Sequence, residues 1–305
     1  MLFIKKDMQE KLIYIVGEDN VFVDEPMSRH TTFKVGGPAD YLVTPHTVEE
    51  IKDIIKSCRE TNTNYYIIGN GSNLLVKDSG LRGVVIQLYK NFSDYTVEGN
   101  RITAKSGIML SALKVPVIEN EFAGYEFASG IPGTLGGAVY MNAGAYGGEM
   151  KDIIVSVKAL DEEGNVITLT KDELNFSYRH SEVMDKGYIV LEATMEFGKG
   201  DARRIKAKMS ELAHQRQSKQ PLEYPSAGST FKRPEGYFAG KLIMDSNLAG
   251  YTVGGAKVSD KHCGFVVNTG NATASDILCL IKDVQDKVME KYGVKLETEV
   301  KILGD

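Results

Sequence analysis

The spacing of apolar residues changes from segment to segment along the chain, and each change marks a predicted element. Ile51, Ile54, Ile55 and Cys58 fall on one face at helical spacing behind Thr47-Val-Glu-Glu50, a capping-box signature, which predicts a helix with a buried stripe. Apolar runs over 39–44, 65–68 and 83–88 predict strands around it and hence a small β-α-β unit. The middle of the chain is strand-rich, with 101–104, 153–160, 166–170 and 188–197 predicted as a second, mostly antiparallel subdomain. A charged helix over 201–217 turns Ile205, Met209 and Leu212 toward a core, and Pro221 and Pro225 break the chain after it, so a domain boundary is placed near there. Beyond it come short strands and turns, then a helix over 275–292 with the stripe Ile277, Leu280, Ile281, Val284 and Val288, ended by Gly293. A closing strand is expected over 295–303.

Composition narrows the function classes. At 305 residues two or three subdomains are expected. A net charge of −5 without a long basic run gives counterion-release binding little to work with, so nucleic acid is not an expected partner. The first ten residues carry charges where a secretory signal needs its apolar core, and no stretch approaches a membrane span, so a cytoplasmic protein without membrane insertion is expected. Cys58, Cys263 and Cys279 are odd in number and far apart, which fits reduced thiols. His262-Cys263 has no second ligand pair at zinc spacing, so no metal site is expected.

Candidate chemistry begins with glycine. The run from Ser129 to Gly147 places glycines among small and apolar residues with almost no charge, a pattern that lets a backbone wrap a flat or phosphorylated ligand with its own amides. A second cluster, Asn70-Gly71-Ser72-Asn73-Leu74, follows directly on the 65–68 strand and presents amides, a hydroxyl and a carboxamide together, as a pyrophosphate cradle does. Leu74 stands where a Rossmann fingerprint needs its third glycine, and no acidic residue ends a clear second strand about 20 residues on, so a Rossmann site is not expected. Two such loops point to a dinucleotide. Three polar segments remain: Phe176-Ser-Tyr-Arg-His-Ser181, Ser226-Ala-Gly-Ser-Thr-Phe-Lys-Arg-Pro234 and Glu297-Thr-Glu299, the last with two carboxylates on one face of the closing strand. Taken singly, these read as a surface contact, a turn or cap, and a solvated strand face.

Taken together, Gly69-Asn-Gly-Ser-Asn-Leu-Leu75, Gly130-Ile-Pro-Gly-Thr-Leu-Gly-Gly137, Asn142-Ala-Gly144, Tyr178-Arg179, Ala227-Gly-Ser-Thr-Phe231 and Glu297-Thr-Glu-Val300 occur in the order seen in UDP-N-acetylenolpyruvoylglucosamine reductases (UDP-N-acetylmuramate dehydrogenases). From about Thr32 onward the chain resembles the shorter form of that family, without the inserted tyrosine loop. The resemblance implies an α+β protein: a two-subdomain FAD-binding fold of the vanillyl-alcohol oxidase type plus a C-terminal α+β substrate domain. The expected spans are 1–90 with the closing strand 296–305, then 91–206, then 207–295.

By the same resemblance, Gly69, Asn70, Gly71, Ser72, Asn73 and Leu74, with Gly130, Ile131, Pro132, Gly133, Gly136, Gly137, Asn142, Ala143 and Gly144, would line noncovalent FAD. Arg179, Ser229 and Glu299 match the catalytic positions, and Ser226 does not. Tyr178, Arg216, Lys232, Arg233 and Lys241 are expected near a UDP-sugar substrate. Two residues after Glu299 stands Lys301, where the family commonly has arginine, which replaces a bidentate fork with a point charge.

The implied reaction is a ping-pong cycle of peptidoglycan precursor synthesis. NADPH reduces the flavin, and hydride then passes through flavin N5 to UDP-N-acetylglucosamine enolpyruvate to give UDP-N-acetylmuramate. No obligate protein partner is evident. Two alternatives stay open at this point, a noncovalent FAD oxidase or dehydrogenase of an alcohol or hydroxy acid in the same fold, and a noncatalytic nucleotide-sugar sensor. The absence of histidine between His46 and His180 argues against a tethered flavin.

Overall fold

The computed structural model describes residues 2–304; the outermost residues of the expected spans, 1 and 305, and the first residue of the charged amino-terminal stretch lie outside the described residues. The chain forms two compact units. The first comprises residues 1–22, 42–70 and 84–215, and the second 23–41, 71–83 and 216–305.

The first unit is built on a five-stranded antiparallel sheet in the order Val166–Thr170, Ile154–Leu160, Ile189–Glu196, Arg101–Lys105, Tyr95–Glu98. Alternation along these strands sends Ile102, Ala104, Val157, Ala159, Ala193 and Met195 into one core with Leu135, Val139 and Tyr125. The fully buried Tyr125 satisfies its hydroxyl by donating to the Leu110 carbonyl at 2.7 Å. Its ring meets Phe197 edge-on, with centroids 6.1 Å apart. Elsewhere in this unit the helix Val48–Glu60 buries Ile51, Ile54, Ile55 and Cys58, and Thr47 accepts from the Glu50 amide at 3.1 Å, as its sequence predicts. The strand Tyr65–Ile68 pairs in parallel with the end of Leu81–Gln87, Tyr65 opposite Val84. A helix over Leu2–Val16, which no sequence pattern above predicts, packs Met8, Leu12 and Val16 inward.

Ser106, at the end of the Arg101–Lys105 strand, is buried with no partner for its hydroxyl among the described residues. A buried unsatisfied hydroxyl costs about 1–3 kcal/mol. Ser106→Ala is therefore expected to leave the protein as stable or to raise its stability by about 1 kcal/mol in urea unfolding; a clear loss would mean that the hydroxyl has a partner.

The second unit is organised by the helix Ala274–Tyr292. Thr273 and Asp276 form its capping box, Gly293 ends it in the left-handed region (φ 66°), and Ile277, Leu280, Ile281, Val284 and Val288 face a core completed by Phe33, Leu75, Phe231 and Leu296. A three-stranded antiparallel sheet, Thr252–Val253, Ala256–Val258 and Val266–Asn268, covers it. The closing strand is shorter than expected. Only Lys301–Leu303 is regular, in parallel with Leu74–Val76, whereas 295–300 forms no strand and carries one β-bridge, between Phe231 and Thr298. The alternation of buried Leu296 and Val300 mimics a strand there without a full ladder beside it.

Asp78 anchors the long helix. Its carboxylate accepts from the Ala274 and Ser275 amides, both at 2.8 Å, and from the Ser275 hydroxyl at 2.6 Å. Desolvation alone would raise this carboxyl, but those bonds outweigh it and hold it below the usual aspartate range. A depressed folded value means stability that is present above the unfolded value of about 4 and is lost as pH falls through the folded one. The stability difference between the unchanged protein and Asp78→Asn should then be constant near neutrality and shrink below about pH 4, as read by urea unfolding across pH. A difference independent of pH would show that the carboxylate charge is not what the helix end uses.

Candidate functional site

In the first unit Gly69 and Asn70 meet the 130–137 glycine run. The Asn70 side-chain amide donates to the Pro132 carbonyl at 3.0 Å, and Gln87 fixes the Gly69 carbonyl at 3.0 Å. A Cβ on Gly69 would stand 2.2 Å from the Thr134 hydroxyl oxygen, so any larger residue would push the Thr134 side chain aside. The Ile108 and Ser106 carbonyls take the Leu135 and Gly136 amides, while those of Asn70, Gly133 and Thr134 have no acceptor among the described residues. Unmatched amides around a glycine-lined junction suit a bound polyanion, and these residues fit a dinucleotide such as FAD. Gly130 closes a single 3-10 turn, Ile131 continues from it, and Gly136 and Gly137 lie in the short helix Leu135–Tyr140.

Asn142 follows that helix in a left-handed conformation (φ 43°) and is fully buried. Ala143 and Gly144 lead into a two-stranded hairpin in which Gly144 faces Glu149. Arg179, also left-handed (φ 56°), brings its guanidinium to 3.5 Å from the Gly144 carbonyl and 5.0 Å from the Tyr178 ring. Half of Tyr178 is exposed, at 48%.

The second unit gathers the remaining segments. Gly71 takes a left-handed conformation (φ 63°), and a Cβ there would lie 2.0 Å from the His30 carbonyl oxygen. Asn73 donates from its side chain to the Glu299 carbonyl at 3.1 Å and accepts the Lys301 amide on its own carbonyl at 2.9 Å. The Glu299 amide donates to the Thr230 carbonyl at 2.8 Å, which places its main chain one residue from Ser229. Leu74 pairs with Lys301. Ser229 follows the left-handed Gly228 (φ 75°) and is half-buried. Ser226 accepts from the Thr32 hydroxyl at 2.7 Å through its carbonyl.

The basic residues are less concentrated. Lys232 pairs with the exposed Glu297 at 3.3 Å, and Lys241 pairs with Asp245 at 2.7 Å along its own helix. Arg233 stacks over Phe238 at 4.6 Å, and Arg216 lies in the last turn of Ala202–Lys219.

Residues 39–170 match a family model described as an FAD binding domain, and residues 220–303 match the C-terminal domain of UDP-N-acetylenolpyruvoylglucosamine reductase. The UDP-N-acetylenolpyruvoylglucosamine reductase of Clostridium perfringens is 56% identical over 287 residues, 94% of either chain. The chain belongs to the UDP-N-acetylenolpyruvoylglucosamine reductase family. The Clostridioides difficile reductase is 54% identical over 98% of this chain and 99% of its own. The crystal structure of the reductase from Thermus caldophilus superposes with a TM-score of 0.79 at 36% identity, covering 93% of this chain and 98% of that one.

Family membership bears out the expected α+β class, an FAD-binding fold followed by a C-terminal domain. Among the described residues no helix is long and apolar enough to cross a membrane, and no cluster of three or more His, Cys, Asp or Glu side chains is placed to hold a metal. Sequence reasoning about this reductase family passed over Glu149. Its only local signal is the pair Tyr146 and Gly147, both at positive φ, which form the tight turn that sets Glu149 opposite Gly144.

Proposed function

We propose that the chain is an FAD-dependent reductase of peptidoglycan precursor synthesis, taking hydride from NADPH and delivering it to UDP-N-acetylglucosamine enolpyruvate to give UDP-N-acetylmuramate. The observation that carries this is identity above one half along nearly the whole length of named reductases, spanning the FAD-binding and C-terminal domains alike. FAD, when bound, supplies a hydride acceptor and donor at N5, and the protein positions and polarises around it.

Gly69 to Leu74, Gly130 to Gly133, Gly136, Gly137 and Asn142 to Gly144 hold the noncovalent cofactor; the unmatched loop amides support this assignment. Arg179 pairs with the substrate carboxylate, and Glu299, if protonated, donates a hydrogen bond to it as negative charge builds, so both interactions are strongest in the transition state. Ser229 gives its proton to the α carbon after hydride has reached the terminal carbon, a weak acid matched to a strongly basic carbon. Tyr178, Arg216, Lys232, Arg233 and Lys241 serve the uridine diphosphate sugar, with Lys301 as a point charge nearby. Spans 1–90 with 296–305, 91–206 and 207–295 act as the two FAD subdomains and the substrate domain of a cytoplasmic enzyme that needs no nucleic acid, membrane or obligate protein partner.

An anaerobic visible spectrum of the FAD-loaded protein tests the proposal. The flavin band is expected to bleach with NADPH and return on adding the enolpyruvyl substrate. A band that stays bleached would overturn the substrate, and a protein that takes up no FAD would overturn the whole assignment.

A further inference from the structure

The Tyr178-Arg179 turn does not set its own direction. The Ser177 and His180 main chains exchange two hydrogen bonds of 3.2 Å, leaving Tyr178 and Arg179 as the two turn residues. Arginine at φ 56° is an uncommon choice that its surroundings must impose, at a cost on the order of 1 kcal/mol. Asn142 holds the base of this turn. Its side-chain amide donates to the Ser177 carbonyl at 2.9 Å and to Glu149 Oε2 at 3.0 Å, while its Oδ1 accepts the Lys151 amide at 2.9 Å. The orientation of the carboxamide is fixed, because a flip would press its oxygen against a carbonyl and a carboxylate.

Glu149 is fixed in turn. It lies across the hairpin from Gly144, where a Cβ would stand 2.8 Å from Glu149 Cγ, and its carboxylate also pairs with Lys151 at 2.8 Å. The same Gly144 offers the carbonyl that Arg179 approaches. Desolvation would raise the Glu149 carboxyl, but the bonds from Lys151 and Asn142 and the charges of Lys151 and Arg179 bring it below the usual glutamate range. It is ionised at neutral pH and does not act as a proton donor. One buried carboxamide and one carboxylate thus tie the strand beside the guanidinium to the turn that carries it.

We propose that Asn142 and Glu149 are positioning residues for Arg179, setting where its guanidinium is presented and thereby governing substrate reduction without touching the substrate. This rests on the assignment of Arg179 to the substrate carboxylate. A displacement of about 1 Å at such a group slows a reaction by up to about 10²-fold.

The two half-reactions, followed separately by anaerobic stopped-flow on the FAD-loaded enzyme, test it. Glu149→Ala is expected to slow reoxidation by the enolpyruvyl substrate by about 10- to 100-fold and to leave reduction by NADPH within about two-fold. Glu149→Gln, which still accepts from Asn142, is expected to recover most of that loss. Adding Glu149→Ala to Arg179→Ala should slow the enzyme no further than Arg179→Ala alone, since residues acting through one group are not additive. Should Glu149→Ala fail to fold, Glu149→Asp, which keeps the charge but withdraws it by one methylene, is expected to show the same selective slowing. Equal slowing of both half-reactions, or losses that multiply in the double variant, would overturn the positioning role. Normal reoxidation in Arg179→Ala would instead overturn the assignment of Arg179 on which it rests.

Discussion

Ser229→Ala is expected to slow flavin reoxidation by the enolpyruvyl substrate by about 10²–10⁴-fold, the range that a positioned proton donor contributes. Reduction by NADPH should stay within about two-fold, because no proton transfer to carbon occurs in that half of the cycle. The substitution is mild for the fold. Ser229 is half-buried, and trimming its hydroxyl takes away a single atom at a partly exposed turn. The turn that carries it is fixed by Gly228 before it and by Thr230 after it, whose hydroxyl accepts the Val266 amide at 3.0 Å and whose own amide donates to the Gly264 carbonyl at 2.8 Å. The loss should therefore appear in the rate at saturating substrate rather than in folding or flavin content. Unchanged reoxidation would remove Ser229 from the proton-transfer step, and slowing of both half-reactions together would point to a displaced flavin.

What could be read in the sequence divides along a physical line. The helices Val48–Glu60 and Ala274–Tyr292 were legible because local signals agree, a cap at one end and an apolar stripe along one face. Leu135–Tyr140 was not, because Gly136 and Gly137 are poor helix formers and its start is held from outside, by the Ile108 and Ser106 carbonyls. The glycine clusters announced close backbone approach, yet nothing local said that Gly69 would sit against Thr134 or that Asn70 would reach Pro132. The bond from Asn73 to Glu299 joins positions 226 residues apart, and no periodicity reports on such a pairing. Glu149 escaped notice for the opposite reason. One charged residue after a tight turn is ordinary in sequence, and its weight comes only from the buried Asn142 it meets.

That Asn73 bond bears on the second large effect. The Glu299 main chain is clamped on both sides, its amide on the Thr230 carbonyl and its carbonyl on the Asn73 carboxamide, so its side chain starts from a fixed point. Glu297, two residues earlier, is 63% exposed and engaged with Lys232, whereas Glu299 is partly buried. If Glu299 works as a neutral hydrogen-bond donor to the developing charge, Glu299→Gln keeps a donor of nearly the same reach and Glu299→Ala keeps none. Loss of one such donor costs about 10²–10³-fold, so Glu299→Ala is expected to slow reoxidation by that much and Glu299→Gln by clearly less, with reduction by NADPH little changed in both. Asn73→Ala separates side chain from scaffold. It removes one of the two bonds that hold the Glu299 main chain and leaves the carboxyl, so at matched FAD content it should weaken reoxidation by less than Glu299→Ala does. Equal loss in the Gln and Ala variants would mean that Glu299 has to move a proton rather than hold one, and the donor role would pass to another group in the reaction.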